Sequence, residues 1–308
     1  MGGGRMTSDA WAGFTRAHTA KAKTVDDIYT KKGMIPDFDP KNIKVREACD
    51  SDASPQSTAL IVALDVTGSM GSVLDAMARK GLGTLAEEIY NRKPITDPHI
   101  MYMGVGDAFY DISPLQCTQF ETDIRIAEQL KDIWLERHGG GNDSEGYNLP
   151  WYFAAMKTKI DCFDKRGKRG YLFTVGDEET PEPLLPSQVK KIIGDDIQSE
   201  LSNEQLLAMV SRMYHVYHII VNEGSHYRSY GSRVDDKWRR LLGQNVYNLT
   251  DHTKLSEVIV SIIQRQEGMD DASIISSWDG STSVVVKDAL ATSKAVGRPT
   301  GEGVVLFD

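Results

Sequence analysis

From Thr58 to Gln266 the apolar positions of this chain switch repeatedly between two periods. Thr58-Ala59-Leu60-Ile61-Val62-Ala63-Leu64 is an unbroken, mostly apolar run, which marks a strand buried on both faces. Leu74, Met77, Ala78, Leu82, Leu85 and Ile89 then recur at helical spacing until Pro94. The alternation continues with a strand at His99 to Gly106, a short strand near Leu115 to Phe120, and a helix over Ile124 to Leu135. Helical spacing returns at Trp151 to Lys159, and Gly170 to Gly176 is a second buried strand. Helices over Gln188 to Ile193 and Asn203 to Arg212, a strand at Tyr214 to Val221 and a helix over Asp235 to Leu242 follow. A short strand at Asn245 to Leu249 and a helix over Leu255 to Gln266 close the series.

Strands joined through helices need crossover connections. The pattern therefore predicts an α/β fold, doubly wound, with a mostly parallel sheet and helices on both faces. Such sheets bind ligands outside the carboxyl ends of their strands. The periodic region defines a domain over 58–267. Residues 1–57 are rich in Gly, Lys, Asp, Ser and Thr and read as an N-terminal arm, with a short helix near Thr24 to Thr30, that packs on the domain. Residues 268–308 read as a C-terminal tail. Its apolar islands, Ser283-Val284-Val285-Val286 and Val304-Val305-Leu306-Phe307, either add edge strands or belong to a mobile segment.

Two buried strands end in a carboxylate. The first runs into Asp65-Val66-Thr67-Gly68-Ser69-Met70, the second into Asp177. As the chain leaves the sheet for a helix, Asp65, Thr67 and Ser69 can converge on one point, and Gly68 permits the tight backbone. Hard oxygen ligands of this kind suit magnesium, which keeps several waters and takes few carboxylates. The alternative is a plain strand-to-helix turn with Ser69 as N-cap. Between the two lies the glycine-rich loop Gly139-Gly140-Gly141-Asn142-Asp143-Ser144-Glu145. Asp107, after the strand at His99, is either a turn residue or a further contributor to the same crevice. Glu178, Glu179 and Glu182 read as a solvated acidic loop, and Lys165 to Arg169 as a basic turn or a docking patch.

Composition narrows the function classes. With 40% apolar and 26% charged residues the chain is globular, and its net charge of −9, without a basic cluster interleaved with aromatics, argues against nucleic acid as partner. Cys49, Cys117 and Cys162 are too few and too scattered for a disulfide framework or a zinc site. His215 and His218 lie three apart on a strand, so they point to opposite faces and read as structural. No apolar run approaches the roughly 20 residues of a membrane span, and the first residues lack the apolar core of a signal peptide. The expectation is a cytoplasmic protein with no membrane contact.

Taken in order, Asp65-Val66-Thr67-Gly68-Ser69, the Gly139–Glu145 loop and Asp177 resemble the metal-ion-dependent adhesion site of the von Willebrand factor A family. That site is built from an Asp-x-Ser-x-Ser run, a Thr-bearing loop and an Asp after a later strand. Here Thr67 stands for the first Ser, and the middle loop is closer to the Gly-Gly-Gly-Asp-x-Pro-Glu loop of bacterial and intracellular members, with Asn142 in place of the acidic residue. The resemblance covers residues 58–266 and implies a Rossmann-like fold with magnesium, or manganese or calcium, held by Asp65, Thr67, Ser69, Asn142 and Asp177. Asp143, Glu145 and Asp107 are possible additional ligands, and which residue of the middle loop faces the metal stays open. It implies a non-enzymatic module that recruits an Asp or Glu of a partner protein within a larger complex, such as one built on an AAA-type ATPase. The alternatives are a metal-assisted phosphohydrolase, for which no phosphate-binding Gly-x-x-x-x-Gly-Lys loop is present, and a structural component of a phage or other assembly.

Overall fold

The computed structural model describes residues 13, 24, 27–70, 82–136 and 143–293. In chain order the elements are β1 (Arg46–Ala48), β2 (Thr58–Asp65), α1 (Leu82–Arg92), β3 (Pro98–Val105), β4 (Leu115–Cys117), α2 (Arg125–Lys131), α3 (Asn148–Lys157), β5 (Thr158–Ile160) and α4 (Asp161–Asp164). They continue with β6 (Gly170–Gly176), α5 (Pro186–Ile192), α6 (Asn203–Val210), β7 (Tyr214–Val221), α7 (Ser225–Leu242), β8 (Val246–Leu249), α8 (Leu255–Gln266), α9 (Asp271–Ser276) and α10 (Gly280–Thr292).

Six strands form one sheet in the order β4-β3-β2-β6-β7-β8, parallel throughout except for the antiparallel β4. The apolar run of β2 is explained by its central position. Leu60, Val62 and Leu64 face one core with Phe173 and Val175, while Ala59, Ile61 and Ala63 face the other with Met101 and Leu172. With both faces covered, no polar alternation survives. α1, α8 and α10 supply the first core, and α3, α6 and α7 supply the second. This is the expected doubly wound α/β architecture.

The chain passes from β2 outward to β3, then returns across β2 to place β6 on its other side. Crossovers that leave in opposite directions open a crevice at their common point. That point is the β2–β6 junction. Register pairs Leu60 with Tyr171 through Leu64 with Val175, so Asp65 and Asp177 emerge at nearly the same level.

The segment before β2 lacks periodicity because it is held by single anchors. Ile28, Tyr29 and Phe38 are buried in the first core and Ile43 and Ala48 in the second. β1 pairs in parallel with β5. The Lys165–Arg169 turn completes the attachment: Arg166 donates to Asp50 Oδ2 and to the Ser57 carbonyl, both at 2.6 Å. Its cationic character is used inside the molecule, to fasten this segment.

The region after Gly268 differs from the expected strands. Val284, Val285 and Val286 lie in α10, where Val285, Val286, Ala289 and Leu290 form one buried face. A run of β-branched residues imitates a strand locally, but packing against α8 and β8 decides the outcome. The second island, Val304 to Phe307, lies outside the described residues. α7 also begins earlier than its apolar pattern, at Ser225, because a kink at Tyr230 (φ −130°, ψ 17°) interrupts the spacing.

Burial of Phe38 makes the leading segment part of the folding unit. Phe38→Ala is expected to cost about 3 kcal/mol of stability in urea titration. A loss below about 0.5 kcal/mol would mean that this segment is an independent appendage.

Candidate metal centre

Asp65 is the last residue of β2 and is fully buried. Its Oδ1 accepts the Thr67 amide at 2.8 Å and the Thr67 hydroxyl at 2.6 Å, so the turn after β2 closes on its own carboxylate. Gly68–Met70 then forms a 3-10 turn, and Met70 N–H donates to the Thr67 carbonyl at 3.3 Å. Asp65 Oδ2 accepts the phenol of Tyr147 at 2.7 Å. That phenol reaches Asp65 only because residue 176 lacks a side chain: a Cβ on Gly176 would overlap the Tyr147 hydroxyl. Tyr147 is itself packed edge-on against His218 and Trp238, which stack on one another.

Asp177 follows β6 and is also fully buried. Its Oδ2 accepts the His226 amide at 2.8 Å and the Tyr227 amide at 3.4 Å, at the start of α7. A carboxylate is stabilised there by unpaired amides and the helix dipole. Gly224 permits the approach, since a Cβ at that position would collide with the Asp177 side chain.

Other carboxylates surround this pair. Asp107, Glu145, Glu178 and Glu179 are all buried, although Glu178 and Glu179 belong to the stretch expected to be a solvated acidic loop. The difference has a local cause: Trp238 Nε1 donates to the Glu178 carbonyl at 2.9 Å, and Glu145 N–H donates to the Glu179 carbonyl at 2.9 Å, which draws the chain inward. Glu179 finds compensation in Arg233 and Lys237 of α7. In contrast, Asp107 Oδ2, Glu145 Oε2 and Glu178 Oε2 are buried oxygens without a hydrogen-bond partner.

Electrostatics registers the crowding. Burial, and then the charge of Asp177, hold the Asp65 carboxyl above its ordinary range against the hydrogen bonds from Thr67 and Tyr147. Glu145 is displaced upward by burial and then by Asp65, Glu178, Asp107 and Asp111. Glu178 is pushed up to about 8, by burial first and by Asp65 and Asp177 next. Buried carboxylates that repel one another are costly as anions. A hard divalent cation is the group that this donor set would accommodate.

The fit has a limit that defines the donors. Among the described residues, three acidic or histidine ligand atoms come within 4.8 Å of one another only at Glu223, Asp251 and His252. There the groups serve each other, with Glu223 Oε2 accepting the His252 amide at 2.6 Å and Asp251 capping the Thr253 amide at 3.0 Å. At the β2–β6 junction the carboxylates act on one another through charge without three of their ligand atoms closing to that distance, so a cation there would need the Thr67 hydroxyl and water in its shell.

Of the residues expected from sequence, Asp65, Thr67, Asp177, Glu145 and Asp107 come together on this face. Asp143 does not join them: it is exposed and pairs with Arg233 at 2.9 Å. The side chain of Ser69 and all of Gly139 to Asn142 lie outside the described residues. Tyr147, Gly176, Gly224 and the buried Glu178 were not anticipated. Only Tyr147 had a visible signal, an aromatic two positions after Glu145 at the start of a helix.

No family model and no curated protein matches this sequence. Solved structures do show likeness. The pilus adhesin SpaC from Lactobacillus rhamnosus GG, in an open conformation, overlays with a TM-score of 0.43 at 9% identity, over 74% of this chain and 31% of that one. A von Willebrand factor type A structure from Catenulispora acidiphila gives 0.38 at 13% identity, over 70% and 44%. Proximal thread matrix protein 1 from the mussel byssus gives 0.43 at 10% identity, over 72% and 48%. The chain thus spans less than half of each of these proteins. Likenesses of this degree carry no argument about activity, and the architecture rests on the sheet itself.

Two outcomes follow from the geometry. Gly176→Ala is expected to destabilise the fold by about 1–3 kcal/mol, because the added methyl displaces the Tyr147 phenol; a neutral substitution by chemical denaturation would contradict the packing. Glu178 holds a proton in the folded state up to pH about 8, whereas its unfolded value is near 4.5. The folded state therefore binds more protons across that window, and stability must fall as pH rises through it. In chelator, melting temperature should decrease from about pH 7 to about pH 8, above the range in which His99, His215 and His218, kept neutral by burial, contribute the opposite slope, and millimolar magnesium should remove most of that decrease. A flat or rising profile in chelator would refute the crowding.

Proposed function

We propose that this chain is a magnesium-dependent protein-binding module of the von Willebrand factor A type, acting within a larger complex and not as an enzyme. The observation that carries this reading is the set of mutually repelling, buried carboxylates at the β2–β6 junction, three of whose oxygens have no hydrogen-bond partner. Asp65, Thr67 and Asp177 would hold the ion, with Ser69 and Asn142 as further ligands and Glu145 and Asp107 as additional contributors. Manganese or calcium would occupy the same oxygen donors. When bound, the ion supplies an electrophilic position that an Asp or Glu of the partner can fill.

The protein's own groups do the rest. Thr67 contributes a neutral oxygen, so the site keeps net attraction for an anion that a third carboxylate in its place would weaken. Tyr147 fixes the rotamer of Asp65, and the His226 and Tyr227 amides fix Asp177. Both carboxylates are thereby preorganised, and little ordering is left to oppose association. The partner's carboxylate would give orientation and specificity to an interface whose area lies on the surrounding loops. A partner from an AAA-type assembly and a cytoplasmic setting complete the proposal. No helix among the described residues is long and apolar enough to cross a membrane.

Calorimetric titration of magnesium into chelator-treated protein tests the assignment. One site is expected, with affinity lowered at least tenfold by Asp65→Asn and by Asp177→Asn while the circular dichroism spectrum is unchanged. Gly224→Ala, which would displace Asp177, should lower affinity as well. Unaltered binding in all three variants would place the ion elsewhere.

A further inference from the structure

α7 runs as a splint along one wall of the β2–β6 junction. Its first turn gives the His226 and Tyr227 amides to Asp177 Oδ2, Trp238 Nε1 donates to the Glu178 carbonyl at 2.9 Å, and Lys237 pairs with Glu179 Oε2. The opposite wall is the segment 143–147, which brings Glu145 into the carboxylate cluster and the Tyr147 phenol to Asp65. The two walls meet in a short parallel contact: Ser144 bridges to Glu179, and Glu145 N–H donates to the Glu179 carbonyl at 2.9 Å. A bridge this short has no neighbouring rungs to protect it, and pairing of such small extent is marginal in water.

Arg233 spans that contact. Its Nη2 donates to Asp143 Oδ2 at 2.9 Å and its Nε pairs with Glu179 Oε1 at 2.5 Å, so one guanidinium holds both walls. The same group lies over the Tyr230 ring, 4.7 Å from its centroid. An exposed ion pair contributes little by itself, and the Asp143 side chain is 57% exposed. The Glu179 side chain is only 3% exposed, so its attraction to Arg233 is poorly screened. Arginine suits this task because its rigid planar fork can meet two acids in different directions, whereas a lysine ammonium is a single point of charge.

We propose, building on the metal-dependent reading, that Arg233 is a positioning residue of the metal centre: by joining Asp143 to Glu179 it fixes the spacing of the walls that carry Glu145 and Tyr147 on one side and Asp177 on the other. A guanidinium has no lone pair to offer an ion, and its charge alone repels one. Removing that charge therefore strengthens cation binding if Arg233 acts only through its field, and weakens it if Arg233 sets the spacing. The two roles differ in sign.

Hydrogen exchange and calorimetry on the full chain, with Arg233→Gln and Arg233→Lys, separate them. Lys237 remains on Glu179 in both variants, which keeps that buried carboxylate paired and the fold intact. In chelator the Glu145 amide should exchange roughly tenfold faster in each variant, with the amides of β2 and β3 unchanged. Magnesium affinity should fall roughly tenfold in both, although lysine keeps the charge. Affinity that rises in Arg233→Gln and holds in Arg233→Lys overturns the proposal and leaves the metal site standing, because charge alone then explains the response. Faster exchange without lost affinity, lost affinity without faster exchange, or neither, overturns it as well. Absence of magnesium binding by the unaltered chain defeats the metal-dependent reading and this role with it.

Discussion

Asp65 and Asp177 leave neighbouring parallel strands at nearly one level, both removed from water, and much of the surrounding structure exists to make that possible. Two buried carboxylates cannot be placed side by side without donors, so each is given its own: a hydroxyl, an amide and a phenol for Asp65, and helix amides for Asp177. Each set of donors requires space that a side chain would fill. Gly176 yields that space to Tyr147, and Gly224 yields it to Asp177. The stack of His218 on Trp238 forms the floor beneath Tyr147, which connects the site to the second core.

The same constraint links fold to function. A doubly wound sheet opens only where its crossovers diverge, and here that opening holds more negative charge than the hydrogen bonds neutralise. Arg233 and Lys237 satisfy Glu179 from α7. Asp107, Glu145 and Glu178 keep oxygens that a cation would satisfy. The hydrogen bonds to Asp65 and Asp177 hold this face in place without any further group.

Much of this was legible from sequence for identifiable reasons. β2 declares itself because a strand covered on both faces has no polar alternation, and Asp65 and Asp177 are conspicuous as the first charges after such runs. The strand and helix alternation dictates crossovers, hence the parallel sheet. What escaped depends on contacts far apart in the chain. Nothing near Glu178 announces that Trp238 will pull its backbone inward, and Tyr147 lies 82 positions from the carboxylate it orients. Ile28, Tyr29 and Phe38 are isolated anchors in a polar stretch, where periodicity offers no guide. The valines of α10 imitate a strand, although Val285, Val286, Ala289 and Leu290 already had the spacing of one helical face. In the middle loop, geometry separates two residues that spacing left equivalent: Glu145 turns into the cluster and Asp143 turns out to Arg233.

The central claim is that a divalent cation belongs at the β2–β6 junction. Anomalous diffraction at the manganese edge, from crystals of the full chain grown with manganese, tests it most directly. The account predicts one strong peak at the carboxyl ends of β2 and β6, within direct or water-bridged reach of Asp65, Thr67 and Asp177. A peak confined to Glu223, Asp251 and His252, or no peak at the junction in a well-ordered crystal, would contradict it.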